Sequence, residues 1–207
     1  MIEKDSLLDE LKKRVIEANL PLHEGATNVV MGKGSPDAPI LFIGEAPGRN
    51  EDLQGMPFVG AAGKNLDKLL AAVGLSLQEV YVANILKYRP PENRVPSPDE
   101  IKTHTPFLIE QIKIIRPKVV CSLGNYATKF FLAGLKPDAM DMQPGITQVH
   151  GRLKEVEFDG IKFKLIPLFH PAAIIYNRKL IPLWEKDMEV VKESLGKGAQ
   201  RTLFLKF

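Results

Sequence analysis

The chain has 207 residues, of which 44% are hydrophobic and 26% are charged. This length and balance are typical of one soluble domain with a well-filled core. No apolar run approaches the roughly 20 residues that span a bilayer, and the sequence does not open with a basic and then an apolar leader region. We therefore expect a cytoplasmic protein without a membrane segment. The net charge of +3 permits a nucleic-acid partner without requiring one.

Cys121 is the only cysteine in the chain. The sequence therefore excludes an internal disulfide and any zinc or iron-sulfur site that several cysteines would hold. Because Cys121 lies in an apolar segment with a strand pattern, we interpret it as an inert core thiol. The histidines show no paired metal-ligand spacing with one another or with nearby carboxylates. This spacing predicts no catalytic metal.

The first predicted elements are a helix, a strand and a second helix. Ser6 is expected to cap a helix whose inward residues include Leu11 and Val15. A buried strand over residues 40–43 follows, and it leads into a loop rich in glycine, proline and carboxylates. The next helix is predicted over residues 60–72, with its leucines on one face. This order is typical of an α/β protein.

The middle of the chain repeats the alternation of strand and helix. A strand is predicted over residues 80–85. Residues 97–100, Ser-Pro-Asp-Glu, form a capping box with proline at the first helical position, and the helix that they start should end near Ile115. A strand over residues 119–123 and a short helix over residues 125–132 follow.

The last part of the pattern adds a hairpin. Residues 156–163 alternate around an Asp-Gly pair, the strongest short hairpin signal. A strand over residues 163–168 and a helix over residues 182–195 come next. Together the elements predict the α/β class, with a three-layer αβα arrangement around a central, mostly parallel four-stranded sheet to which the β-hairpin is added.

Three of the predicted strands end in residues that suit chemistry. Gly44 and Glu45 follow the first strand, Asn84 ends the second, and His170 follows the fourth. Because the carboxyl ends of parallel strands share one sheet edge, we expect these residues to converge there with the aromatic face of Phe58. Structural interpretations remain open as well. Glu45 could stabilise a helix N-terminus and Asn84 could sit in a turn, while the histidine and the phenylalanine could belong to the core.

Four motifs stand in order between residues 22 and 195. They are Gly44-Glu-Ala-Pro-Gly-Arg-Asn-Glu-Asp52, Gly55-Met-Pro-Phe-Val-Gly60, Asn84-Ile-Leu-Lys-Tyr-Arg-Pro-Pro-Glu-Asn-Arg94 and Phe169-His-Pro171. Together they resemble the family 4, thermophile-type uracil-DNA glycosylases. The resemblance implies that family's fold and the hydrolysis of the N-glycosidic bond of uracil in DNA, which releases uracil and leaves an apyrimidinic site. It also places Gly44 in the uracil-binding set.

The resemblance implies a role for each of the other residues of the pocket. Phe58 would stack on the extruded uracil, and Asn84 would donate to O4 and accept from N3–H of the base. Glu51 would crowd C5 and so exclude thymine. His170 would donate to O2 of the departing base, while Glu45 would hold the attacking water and face the cationic sugar.

In enzymes of this family an apolar side chain after the His-Pro motif fills the gap that the extruded base leaves. The resemblance makes Ile174 or Ile175 this wedge. It also directs Arg178, with Arg89 or Arg94, to phosphates. The alternative is that the two isoleucines begin a buried helix. Uracil-containing DNA is therefore the expected partner, and a monomer is the simplest state.

The sequence departs from the family at the four cysteines that usually bind a 4Fe-4S cluster. Reading those positions here gives Glu17, Leu20, Tyr88 and His104. We therefore predict that the cluster is absent and that the protein has no cofactor. On this hypothesis, packing of Leu20, Tyr88 and neighbouring apolar groups holds the N-terminal segment against the Arg-Pro-Pro loop.

We assign residues 1–198 to a single domain with the uracil-DNA glycosylase-like fold and residues 199–207 to a C-terminal tail. The tail resembles a clamp-interaction peptide of the Gln-x-x-Leu-x-x-aromatic-aromatic kind through Gln200, Leu203 and Phe207, although lysine replaces the first aromatic residue. A sliding clamp is therefore an expected partner. The alternatives are a terminal strand or a disordered end.

Two classes of function fit these residues. The first is a repair hydrolase, and the second is a non-catalytic damaged-DNA or nucleotide-binding module on the same fold. The presence of Glu45, Asn84 and His170 together favours the hydrolase, because a binding module needs no group for the leaving base or for water. A relative that becomes covalently trapped on the abasic site is disfavoured, since no histidine-bearing basic insertion follows Arg89.

Overall fold

The computed structural model describes residues 3–196. Within them, the strands are β1 (Gly32–Gly34), β2 (Ile40–Gly44), β3 (Val80–Asn84), β4 (Val119–Leu123), β5 (Lys154–Phe158) and β6 (Ile161–Leu168). They form one six-stranded sheet in the order β1-β3-β2-β4-β6-β5. The four central strands are parallel, while β1 and β5 are antiparallel edge strands. The predicted parallel sheet is thus confirmed, with an additional strand at each edge.

The sequence pattern predicts one of the two edge strands, β5, and does not predict the other, β1. The hairpin is present, and its two-residue turn has positive φ at Asp159 (47°) and Gly160 (77°), as a type I′ turn requires. Its second strand continues without a break into the fourth parallel strand, so the hairpin is part of the sheet. The three residues of β1 were not predicted, because they read Gly-Lys-Gly and carry no apolar pattern.

Helices cover both faces of the sheet. The α-helices of the described residues are α1 (Lys4–Glu17), α2 (Arg49–Gln54), α3 (Ala61–Ala72), α4 (Pro98–Ile115), α5 (Gly124–Leu132), α6 (Ile146–Val149), α7 (Pro171–Tyr176) and α8 (Ile181–Ser194). Residues of α3, α7 and α8 pack in the core on one face, and residues of α4 and α5 pack in the core on the other. The three-layer αβα prediction is therefore confirmed.

The apolar runs of the strands supply both cores because side chains alternate between the faces of a sheet. In β2, Ile40 and Phe42 join the core under α3 and α8, while Leu41 and Ile43 join the core under α4 and α5. Cys121 is fully buried in β4, where burial raises the pKa of its thiol. This position agrees with a core thiol.

The starts of α1 and α4 show when a sequence signal fixes a helix boundary. The Ser97 hydroxyl accepts a hydrogen bond from Glu100 N (3.2 Å), and the Glu100 carboxylate accepts one from Ser97 N (2.8 Å), so the predicted capping box is confirmed. The predicted cap at Ser6 is wrong, because α1 already begins at Lys4. The Lys4 ammonium donates to Pro36 O and Ile115 O, and these tertiary contacts hold the earlier start.

The two serines give a matched pair of variants. We expect Ser97→Ala to lower the free energy of unfolding by about 1 kcal/mol, because Glu100 N loses the hydroxyl group that accepts its hydrogen bond. Ser6→Ala should change it by less than about 0.5 kcal/mol, since the helix interior favours alanine. Urea denaturation followed by circular dichroism measures both values. Equal effects of the two substitutions would contradict the observed helix boundaries.

Two remaining predictions concern membrane segments and the tail. Among the helices of residues 3–196, none is both long enough and apolar enough to span a bilayer. The tail prediction, with Gln200, Leu203 and Phe207, lies outside the described residues. The assignment of residues 1–198 to one domain stays a prediction.

Candidate active site

A cavity of about 600 Å³ lies at the carboxyl edge of the parallel strands. The strand register places Gly44 beside Asn84, so the ends of β2 and β3 meet there. The predicted pocket residues Glu45, Glu51, Phe58, Asn84 and His170 all line this cavity. The convergence expected from the strand ends is therefore present in the structure.

Phe58 is held in a backbone conformation that side chains rarely adopt. Its φ is 52°, in the left-handed region, and the residue is 5% exposed. Such a conformation costs about 1–3 kcal/mol and persists only where the surroundings impose it. Here the Lys33 ammonium donates to Phe58 O (2.8 Å), and the Glu51 carboxylate accepts from the next two N–H groups, those of Val59 (2.9 Å) and Gly60 (2.7 Å).

The Glu51 contacts give this residue a structural function in the pocket. Its carboxylate is tied to the turn that carries Phe58, and it also lines the cavity. The arrangement fixes the carboxylate in space, which a steric filter needs. Its proposed contact with C5 of the base stays a prediction.

Gly44 allows the Phe58 ring and the Asn84 amide to approach each other. A Cβ built on Gly44 would lie 2.5 Å from Asn84 Oδ1 and 2.8 Å from Phe58 Cζ. Asn84 is 3% exposed and ends β3, so the turn interpretation is not what the structure has. Within residues 3–196 the Asn84 side-chain amide has no hydrogen-bond partner. Its donor and acceptor are therefore free for a ligand in the cavity.

His170 is present as a neutral imidazole with a defined tautomer. Its Nδ1 accepts a hydrogen bond from Ala172 N (3.1 Å), so the proton of the neutral ring is on Nε2. Burial lowers the pKa of His170 to about 4, and the Glu51 carboxylate opposes this effect only in part. The ring lies 5.8 Å from the Phe58 ring, centroid to centroid. The cavity thus contains a neutral N–H donor beside an aromatic face.

Two neighbouring segments hold the His-Pro corner in place. Gly124, the first residue of α5, has φ 83°, and a Cβ there would lie 2.9 Å from His170 Cβ. On the other side, Asn65 Nδ2 of α3 donates to Pro171 O (2.8 Å). Sequence reasoning missed both Asn65 and Lys33, because each acts on a backbone carbonyl that is distant in the chain. The glycines around Lys33 were the only local signal at that position.

Glu45 supplies the anionic group of the cavity. It is partly buried directly after β2, and burial raises the pKa of its carboxyl group. The nearest helix start along the chain is at Arg49, so Glu45 lies outside the first turn of α2. The carboxylate does act on Tyr126 in the first turn of α5, where burial and then the Glu45 charge raise the pKa of the phenol, so the helix-stabilising interpretation stays open. A carboxylate partly withdrawn from solvent can hold a water molecule or face a developing cation.

The predicted phosphate contacts lie at the rim or outside it. Arg94 lines the cavity and forms a bidentate pair with Glu100, which lowers the pKa of that carboxyl group to about 2. Arg89 Nε donates to Asn93 Oδ1 (2.8 Å). Arg178 is exposed in a short 3₁₀ turn after α7. Their contact with phosphates stays a prediction.

The structure distinguishes the two candidates of the wedge prediction, Ile174 and Ile175, by their burial, and the wedge itself stays a prediction. Ile174 is 2% exposed and packs in the core with α3 and α8, so it cannot enter DNA without unpacking that core. Ile175 is 44% exposed, and the following Tyr176 is 89% exposed. The reason is helical geometry, since successive residues of α7 point about 100° apart. The buried-helix alternative thus describes one of the two isoleucines.

The positions of the family's cluster cysteines do not fit an iron-sulfur cluster here. The chain has one cysteine, so a set of four cysteine ligands does not exist. Leu20 and Tyr88 belong to one apolar cluster together with residues of α1, while Glu17 is exposed. His104 Nδ1 accepts from Lys87 N (3.0 Å), and its Nε2 contacts Pro21 O (3.1 Å). Across residues 3–196, no group of three or more His, Cys, Asp or Glu side chains could hold a metal ion.

The fold and the cavity together define a class of protein. It is a three-layer α/β protein that can receive a planar polar ligand at the carboxyl edge of its parallel sheet. An aromatic ring and an unpaired amide line the site, with a neutral imidazole and a carboxylate in the same cavity.

Comparison with known proteins agrees with this class. The sequence profile of the Uracil DNA glycosylase superfamily matches residues 31–192. A type-4 uracil-DNA glycosylase of Archaeoglobus fulgidus is 42% identical over 199 residues, which cover 95% of this chain and 97% of that protein. One of Saccharolobus solfataricus is 40% identical over 193 residues (93% and 86%), and one of Thermotoga maritima is 40% identical over 200 residues (95% and 99%). The chain belongs to the uracil DNA glycosylase superfamily, in its type-4 group.

Proposed function

We propose that this protein excises uracil from DNA as a repair glycosylase. It hydrolyses the N-glycosidic bond, releases free uracil and leaves an apyrimidinic site. Family membership supports this function, and so do the names of the relatives. The observation that carries it is the neutral His170 donor in the same cavity as the Glu45 carboxylate and the free Asn84 amide. A module that only binds DNA has no use for this conjunction.

Base recognition is assigned to Phe58 and Asn84. The Phe58 ring offers a fixed face on which the extruded base stacks, because the peptide group that follows it is held at its carbonyl by Lys33 and at its N–H by Glu51. The Asn84 amide donates to O4 and accepts from N3–H of uracil, a pattern that cytosine cannot match. Gly44 leaves the space that the two side chains share.

Bond breaking is assigned to His170 and Glu45. Cleavage builds negative charge on the base and positive charge on the sugar, so a donor is needed beside the first and an anion beside the second. The Nε2–H group of His170 donates to O2 of the leaving uracil. Glu45 holds the attacking water and faces the sugar. Each fixed dipole of this kind is worth roughly 2.7–4 kcal/mol in the transition state.

DNA contact is assigned to the rim of the cavity. Extruding the base costs a few kcal/mol, and Ile175, which is exposed on α7, fills the gap in the helix. Arg89 or Arg94 contacts a phosphate on the side of the cavity where the Arg-Pro-Pro loop lies, and Arg178 does so beside α7. Arg94 is already oriented by Glu100, so binding costs it little side-chain entropy.

Cleavage of a uracil-containing oligonucleotide tests the proposed function. Alkali treatment after incubation converts apyrimidinic sites into strand breaks, which a gel resolves. We expect cleavage at U and none at T or C, and we expect Glu45→Ala and Asn84→Ala to lose most of it. Binding of the oligonucleotide without any release of uracil would favour the non-catalytic module instead.

We also propose that the protein works without a cofactor, with apolar packing in place of the cluster. The support is the loss of all four cysteine positions together with the packing of Leu20 and Tyr88 in one apolar cluster. The purified protein is therefore expected to be colourless and to keep its activity after dialysis against a chelator. Brown colour with absorbance near 400 nm would contradict this proposal.

The remaining proposals concern the cellular location, the oligomeric state and a clamp partner. We propose that the protein acts as a cytoplasmic monomer and that residues 199–207 bind a sliding clamp. The support for clamp binding is the sequence pattern of Gln200, Leu203 and Phe207 alone. Removal of the residues after Ala199 should abolish clamp binding in a pull-down with the purified clamp and leave uracil release unchanged. Undiminished binding by the truncated chain would rule the tail out.

A further inference from the structure

Lys87 is a fully buried lysine that the functions above do not use. It lies three residues after Asn84, and 0% of the residue is exposed. Its Nζ donates to the backbone carbonyl of Asn84 (2.9 Å) and to Gln111 Oε1 of α4 (2.7 Å). Burial of a lysine amine is costly unless its donors are satisfied. The contact with Asn84 satisfies one of these donors and connects the buried amine to a residue of the pocket.

The contact between Lys87 Nζ and the Asn84 carbonyl supplies a hydrogen bond that the sheet does not provide. The edge strand β1 pairs with β3 only as far as Ala83, so it supplies no donor for the carbonyl of Asn84. On the other side, Ile85 N and Leu86 N continue the ladder with Gly44 O and Glu45 O. The peptide group between Asn84 and Ile85 is therefore held on both sides, by Gly44 O at its N–H and by Lys87 Nζ at its carbonyl, and this fixes the backbone from which the Asn84 side chain extends.

Lys87 is itself anchored at every polar group. Its N–H donates to His104 Nδ1 (3.0 Å), and its carbonyl accepts from Val30 N (2.8 Å). Gln111, the other partner of Nζ, donates through Nε2 to Met31 O (3.1 Å). The backbone after Asn84 is therefore tied to α4 and to the segment before β1. Because each of these groups is hydrogen-bonded to a neighbour, the backbone after Asn84 is held rigidly, and this fixes the position of Asn84.

The chemistry of the amine matches the two acceptors. A neutral amine has two N–H groups, and two acceptors are present; the third N–H of an ammonium group would have no acceptor among residues 3–196. Burial lowers the pKa of Lys87 to about 7. The titratable groups that face this network are His104 and, through Gln111, Tyr81. Both forms of Lys87 keep the bond to Asn84, so the positioning does not depend on its charge.

We propose that Lys87, braced by Gln111 and His104, is a positioning residue that sets the orientation of the Asn84 amide toward the base. The inference rests on the proposed function, because it assigns Lys87 an effect on uracil release through Asn84. The Asn84 amide packs closely over Gly44, since its Oδ1 atom lies 2.5 Å from where a Cβ on that glycine would be. A displacement of about 1 Å at such a site can slow a reaction a hundredfold.

A double-mutant cycle tests the coupling. Lys87→Met removes the donor at nearly constant volume, and Asn84→Ala removes the amide while it keeps the carbonyl that Lys87 contacts. Single-turnover uracil release with excess enzyme is measured for wild type, both single variants and the double variant. We expect Lys87→Met to slow release about tenfold or more in the wild-type background and less than about twofold in the Asn84→Ala background.

Lys164→Met is the matched control. Lys164 Nζ also donates to a backbone carbonyl, that of Ser194 (2.8 Å), but it lies away from the cavity. This variant should keep the wild-type rate. If Lys87→Met shows no cooperative thermal unfolding, Gln111→Met replaces it in the cycle, because it removes the acceptor that braces Nζ. It should then slow release in the wild-type background and not in the Asn84→Ala background, and an equal loss in both backgrounds would overturn the inference.

The measured rates distinguish the positioning role of Lys87 from uracil release itself. A slowing by Lys87→Met in the wild-type background that disappears in the Asn84→Ala background supports the inference. Equal losses in both backgrounds, or a loss as large in Lys164→Met, would show a general structural effect and overturn it while uracil release by the wild type still stands. A wild type that releases no uracil overturns the proposed function, and the inference with it.

Discussion

Replacement of His170 by alanine is expected to slow uracil release by a factor of about 100 to 1000 under single-turnover conditions. The reason is the defined tautomer of this ring. Because Nδ1 accepts from Ala172 N, the neutral imidazole has its only N–H on Nε2, where it can donate to the leaving base. Alanine leaves the developing charge on uracil without that donor. The rate of the chemical step should fall, while the affinity for uracil-containing DNA changes little.

The pH profile separates a neutral donor from a cationic one. The pKa of His170 is lowered to about 4, so its protonation should produce no step in the wild-type rate between pH 5 and pH 8. His23→Ala serves as the control, because this histidine also contacts a backbone carbonyl but does not line the cavity. It should keep the rate within about twofold. A step near pH 6.5 that disappears in His170→Ala would contradict the neutral form.

The lowered pKa of His170 also has a consequence for stability. An unfolded chain binds a proton at this histidine below about pH 6.5, whereas the folded chain does so only near pH 4. The unfolded state therefore binds more protons in this window, and the contribution of His170 is full above pH 6.5 and declines as the pH falls toward 4. Urea denaturation at pH 7.5 and pH 5 should show a smaller decline for His170→Ala than for wild type.

The convergence of the pocket residues could be predicted because it follows from the order of strands and helices along the chain. Strands that alternate with helices give a parallel sheet, and the ends of its strands meet at one edge, which brings Glu45, Asn84 and His170 together without knowledge of any side-chain contact. The capping box at Ser97 was equally predictable, since both partners lie within four residues. Local and topological signals thus account for the position of the site.

The contacts that hold the pocket could not be predicted in this way. Lys33, Asn65 and Lys87 each donate to a backbone carbonyl, and which carbonyl lies within reach depends on the tertiary structure. Ile174 and Ile175 show the same limit at the scale of one residue. They have the same side chain and adjacent positions, and only the rotation of α7 decides which one is buried. The sequence pattern cannot fix that rotation without a longer helix.

Gly44→Ala is expected to abolish most uracil release while the protein stays folded. The new Cβ would meet Asn84 Oδ1 at 2.5 Å and Phe58 Cζ at 2.8 Å, both of which are ends of side chains. These groups can move aside without a shift of the backbone, but they are the two groups to which we assign recognition of the base. A displacement of this size should lower the rate about a hundredfold or more. Thermal unfolding and single-turnover release measure the two effects separately.

Two other glycines serve as controls, because alanine at each of them should affect stability and rate differently from Gly44→Ala. A Cβ on Gly63 would lie 1.7 Å from the backbone oxygen of Phe58, so Gly63→Ala has to move the backbone. It should lower the melting temperature by about 5 °C or more as well as the rate. Nothing lies within 4 Å of a Cβ on Gly25, and Gly25→Ala should change neither quantity. If Gly44→Ala melts like Gly63→Ala, the loss of activity reports unfolding, and the close approach of Phe58 and Asn84 over Gly44 is not what positions the base.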